Sequence, residues 1–257
     1  MFLAILGALY WTILRDLVWQ WWEDPNYSHG FVVPIVSGFV VWQRRKELAA
    51  LPRQGSWLGL PVLVIGVVGL ILGDVASELF LMRSSLILIV SGLVLFHLGS
   101  VIFRALAFPL AFLLFMVPLP AVLFYAIAFP LQKLAAWNAV AALELLGVPV
   151  LLDGNVISGI RALVSLLALA VASAYLMTAP HLAKALFVAS VIPITIAANA
   201  GRVVTTGLVG QWIGAQYATG VYHTFSGYLI FALACAALLA VHGLIRFAGH
   251  RPRTRSA

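Results

Sequence analysis

Long runs without an ionisable acid or base dominate this chain; Phe225–Ile245, for example, contains no Asp, Glu, Lys or Arg. About 20 apolar residues in a helix cross the hydrocarbon layer of a bilayer. Charged residues make up 9% of the chain and hydrophobic ones 63%, where a soluble domain has roughly 25% charged residues. The chain therefore reads as an integral membrane protein. No stretch alternates apolar and polar residues as a barrel strand must, so helices are the expected spanning element.

The pattern predicts one all-α bundle, a single domain over 1–257, with about eight transmembrane helices at 2–20, 30–43, 57–73, 79–96, 100–117, 160–179, 182–200 and 225–245. The amino terminus lacks the charged start and cleavage site of a removable signal and is taken as a membrane segment. Basic residues set the orientation. Arg44, Arg45, Lys46 and Arg53, and then Arg246, Arg251, Arg253 and Arg255, fall beside apolar runs and mark the cytoplasmic side. Glu23, Asp24, Asp74, Glu78 and Asp153 fall on the other side. The alternation closes if Ala121–Leu146, which carries Gln132, Lys133, Trp137, Asn138 and Glu144, lies as an amphipathic helix in the outer interface.

The net charge of +7 is accounted for by these flanking clusters, so the partner it implies is the lipid bilayer and not nucleic acid. Cys235 is the single cysteine, which excludes a disulfide within the chain. No histidine pair has metal-ligand spacing, and HExxH, P-loop and dinucleotide patterns are absent where they would matter. No metal or cofactor site is expected. The pattern leaves the oligomeric state open.

The polar residues that remain gather on one side. With the topology above, His29, Asp153, Asn155, Arg161, Arg202 and His223 all reach the outer face. Arg202 ends the island Asn199-Ala-Gly-Arg202 and His223 opens His223-Thr-Phe-Ser-Gly227; the spacing between the two is too short for a further crossing. An arginine at a helix end can simply snorkel to the headgroups, and His223 can sit in an aromatic belt with Tyr222, Phe225 and Tyr228. The functional alternative is a site. An imidazole with an ordinary pKa near 6.5 suits proton transfer, and a guanidinium suits a carboxylate or an oxyanion. Asn199 precedes Arg202 by about one turn and supports it. His29, in Tyr27-Ser-His-Gly30, reads as a structural hydrogen-bonding partner.

Taken in order, Tyr27-Ser-His-Gly-Phe-Val-Val-Pro34 with Val41-Trp-Gln-Arg-Arg45, Gly154-Asn-Val156, Ser158-Gly-Ile-Arg161, Asn199-Ala-Gly-Arg202 and His223-Thr-Phe-Ser-Gly227 resemble the signature blocks of the exosortases, over nearly the whole chain. The resemblance implies a multi-pass enzyme of the bacterial inner membrane with its site on the periplasmic face. It implies a thiol protease and transpeptidase acting on exported proteins that end in a Pro-Glu-Pro sorting tail, often beside exopolysaccharide genes. It also implies a Cys-Arg-His site in which Arg202 and His223 match the arginine and the histidine.

One part of the pattern is missing. The family carries a small-residue stretch ending in the nucleophilic cysteine just before the serine of the third block. Here Asn155-Val156-Ile157 runs directly into Ser158-Gly159-Ile160-Arg161. Cys235 is expected near the middle of the last span, away from the outer face. Ser158 is a candidate replacement, but a serine beside a lost nucleophile does not inherit its geometry. Three functions stay open: an exosortase-type enzyme impaired in cleavage, a non-catalytic protein that binds sorting tails, and a subunit of polymer export.

Overall fold

The structure is a computed structural model that describes residues 2–24, 26–147, 160–214 and 221–249, with the side chains of 2–4, 160–162, 221–224 and 248–249 outside the description. Among the described residues every regular element is helical. Helix α1 spans Phe2–Glu23, and a 3-10 turn at Ser28–Phe31 leads into α2, Val32–Gln43. The short α3 (Arg45–Ala50) precedes α4 (Gly59–Val75), α5 (Leu79–Leu98) and α6 (Ser100–Phe112), which continues as a second 3-10 turn, Leu113–Met116. Then come α7 (Ala121–Leu145), α8 (Ile160–Leu176), α9 (His181–Ala189), α10 (Val191–Trp212) and α11 (Val221–Gly249). Two compact units result, Met1–Leu123 and Phe124–Ala257.

The first unit is built on the α4–α5 hairpin. Gly59, Gly66 and Gly73 are all buried and recur every seven residues, so they form one seam along α4. A Cβ at Gly73 would lie 2.8 Å from the Met82 amide nitrogen, and one at Gly92, on α5, 2.8 Å from that of Leu63. The two backbones approach this closely because those positions lack side chains, as small residues allow between membrane helices. The turn is capped by Glu78, whose carboxylate accepts from the Leu81 amide at 2.7 Å. At the other end α5 stops at Gly99, where φ is +88° and a Cβ would run into the Gln54 carbonyl oxygen. Left-handed strain alone costs a non-glycine residue about 1–2 kcal/mol. Gly99→Ala is therefore expected to lower the thermal midpoint of the detergent-solubilised protein by several degrees, whereas Gly7→Ala, at an open position, should leave it in place.

Helix α1 packs on α5 through polar contacts. The fully buried Tyr10 shares a 2.6 Å hydrogen bond with Ser85, and Arg83, only 4% exposed, donates Nη1 to Gln20 Oε1 at 2.6 Å. In the second unit the core is apolar: Leu166, Ala170, Phe187, Val191, Ala234 and Leu238 bring α8, α9, α10 and α11 together. Helices α9 and α10 meet at Ser190, whose hydroxyl turns back to the Phe187 carbonyl at 2.6 Å.

One expectation changes. Among the described residues four helical stretches are long and apolar enough to cross a membrane: Leu79–Leu98, Ala121–Leu145, His181–Trp212 and Phe225–Phe247. Four more, Ser28–Gln43, Gly59–Val75, Ser100–Met116 and Leu163–Leu176, are apolar but shorter. A count of about eight full-length spans does not emerge, because these stretches stop short of the length a crossing asks for. Ala121–Leu145, expected to be an interfacial amphipathic helix, is by length and composition among the long apolar ones. Its buried face consists of Ala128, Gln132, Ala135, Ala139 and Leu143, so Gln132 points inward. Asn138 meets its own backbone, donating to the Leu134 carbonyl at 2.9 Å. Lys133, Trp137, Asn138 and Glu144 are exposed on the side away from that buried face.

Candidate functional site

Arg202 does not end a helix. Helix α10 continues for ten residues beyond it to Trp212, because a helix satisfies its own backbone bonds whatever its side chains are. The face that carries Arg202 also carries Asn199 and Thr195, one and two turns earlier; both are buried, Asn199 at 8% exposure. At Arg202 the neighbour of this face is α11. A Cβ at Gly227 would lie 3.6 Å from Arg202 Nη2 and 3.7 Å from Cζ. The guanidinium thus rests against α11 at a position where the helix offers it no side chain. Ser226 beside it is buried as well.

Position 223 lies four residues before Gly227 in the same helix, and residues so spaced are neighbours on one helix face, with Cβ atoms about 5–6 Å apart. The structure therefore brings Arg202 within one turn of the backbone of His223, whose side chain lies outside the described residues. Arg161 is in the first turn of α8, its side chain likewise outside the description. Ile157, Ser158, Asp153 and Asn155 are also outside the described residues.

The one thiol is elsewhere. Cys235 packs against the apolar core of the second unit. It lies twelve residues beyond His223 in α11, a rise of about 18 Å along the axis.

His29 belongs to the first unit, and there it has a structural role. Its ring Nε2–H donates to the Phe115 carbonyl at 3.1 Å. Burial is the largest influence on its pKa and holds it below the ordinary imidazole value, against the opposing pull of the Phe115 and Asn26 backbone groups. Next to it, Gly30 lies flat on the Trp21 indole, where a Cβ would fall within 2.5 Å of Cδ1 and Cε2. The same indole donates Nε1–H to the Met116 carbonyl at 2.9 Å and meets Phe31 edge-on at 5.2 Å. Tyr27-Ser-His-Gly30 is thus the part that fastens the 3-10 turn Leu113–Met116 to the end of α1. Sequence reading recognised the histidine but not the glycine or Trp21. The Gly59–Gly66–Gly73 seam was also missed, although its seven-residue spacing is visible in the chain.

These features define a multi-pass helical membrane protein in which the Arg202 guanidinium of α10 rests against Gly227 of α11. The chain belongs to the transmembrane exosortase family (Exosortase_EpsH), which matches residues 21–240. Comparison with curated proteins and with solved structures gives no match.

Proposed function

We propose that this chain engages the carboxy-terminal sorting tails of exported proteins at the outer face of the bacterial inner membrane, through Arg202 and His223, and is impaired in cleaving them. The contact of the Arg202 guanidinium with Gly227, one turn from His223, carries the reading. In the complete reaction a thiolate attacks a peptide carbonyl and the C–S bond forms. The C–N bond then breaks, and the imidazolium of His223 returns a proton to the leaving amine. Water or an amine acceptor afterwards releases the acyl group. Arg202 holds the developing oxyanion or a substrate carboxylate.

The thiol is what this chain lacks. Cys235 is its single cysteine and sits in the apolar core of the second unit, which supports tail binding without turnover as the second reading. The test is photo-crosslinking in cells with a reporter that ends in a Pro-Glu-Pro tail and carries the probe beside that motif. Capture by the unaltered chain, reduced on the order of tenfold or more by Arg202→Ala, with no processed reporter, is the expected result. Capture indifferent to Arg202 would refute the site, and processing by the unaltered chain would refute the impairment.

A further inference from the structure

Helix α1 carries an ion pair on an outward face. Arg15 and Asp16 have side chains 64% and 58% exposed, within a helix that also exposes Ile5, Leu9, Trp11, Val18 and Trp19. Neither side chain reaches for the helix end. Arg15 Nε and Nη2 both donate to the single oxygen Asp16 Oδ1, at 3.0 and 2.9 Å, which draws the guanidinium sideways instead of letting it snorkel. An exposed apolar helix face of this extent, with a charge pair at its centre, is the kind of surface that ordinarily meets another protein segment.

The arrangement says what that segment is. Ile5, Leu9, Thr12, Asp16 and Trp19 recur at alternating intervals of four and three, and all are exposed. That is the seam of a helix pair, in which each knob enters a hole formed by four residues of the facing helix. Asp16 occupies a seam position and Arg15 is the flanking residue just before it, so in a parallel pair the hole that receives Asp16 includes Arg15 of the other helix. Among the described residues Arg15 gives both of its hydrogen bonds to Asp16 Oδ1, and Arg83 adds a longer-range attraction to the same carboxylate. Two-fold symmetry makes such a patch self-complementary: each Arg15 meets the other copy's Asp16. The seam also precedes residue 21, where the family match begins, so it is separate from the residues of the proposed site.

We infer that α1 pairs with α1 of a second copy of this chain, with reciprocal Arg15–Asp16 contacts fixing the register. The test is disulfide crosslinking of the full chain in nanodiscs on a Cys235→Ser background. Thr12→Cys, on the seam, should crosslink, and Trp11→Cys, exposed but off the seam, should not. Adding Arg15→Asp or Asp16→Arg to Thr12→Cys should each lower the crosslinked fraction on the order of tenfold or more, since like charges then face each other. Mixing the two reversed chains should restore it, which also shows that both still fold. Equal crosslinking at positions 12 and 11, a monomeric unaltered chain, or reversals without effect would overturn the pairing.

Discussion

Inserting a short cysteine-bearing segment between Ile157 and Ser158 is expected to turn a chain that does not process sorting tails into one that does, read as accumulation of a cleaved reporter in cells. The blocks on either side of the junction are intact, and the Arg202–Gly227 contact already sets a cation one turn from His223. Removing a general acid–base group lowers a rate by on the order of 10²–10⁴-fold. Loss of a charge-stabilising donor lowers it by about 10²–10³-fold. His223→Ala and Arg202→Ala should each abolish most of the restored processing, while Cys235→Ala should leave it unchanged. Restoration that survived loss of Arg202 or His223 would place the chemistry elsewhere. Failure of the insertion together with successful tail capture would favour the binding reading.

Gly30→Val is expected to be among the most damaging single changes in the first unit. The indole it would strike is held from two sides, by the Met116 carbonyl and by Phe31, so the ring has no free direction in which to yield. Overpacking costs about 1–3 kcal/mol, and losing the indole hydrogen bond adds about 0.5–1.5 kcal/mol. For a chain of this size that corresponds to a thermal midpoint lower by roughly 5–15 °C. Tryptophan fluorescence during heating, together with exposure of the 113–116 turn to a protease, would register it. A midpoint that does not move would mean that the Trp21 indole is not fastened as described.

Much of the helical layout was legible in the chain. The expected spans at 79–96, 57–73 and 30–43 correspond closely to α5, α4 and α2, because glycine, proline and charge clusters bound those apolar runs. The ends of α10 and α11 were not legible. The polar island around Arg202 looks like a terminus, yet the helix runs on through Gly207 to Trp212. Inside a membrane bundle a polar side chain finds its partner on a neighbouring helix, so polarity marks contact and not termination. For the same reason the pairing of Arg202 with Gly227 could not be read in advance, since a glycine carries no signal of what rests upon it.

The backbone-to-backbone seam between α4 and α5 bears on the order of assembly. Its partners are joined by a turn of only a few residues, so closing that loop forfeits little chain entropy, and contacts near in sequence form early. The hairpin is thus the natural nucleus of the amino-terminal half, with α1 docking afterwards through Tyr10 and Arg83. A bulky residue at Gly66, where a Cβ would already lie 2.6 Å from Ile89, strikes that nucleus and would slow maturation of the whole polypeptide.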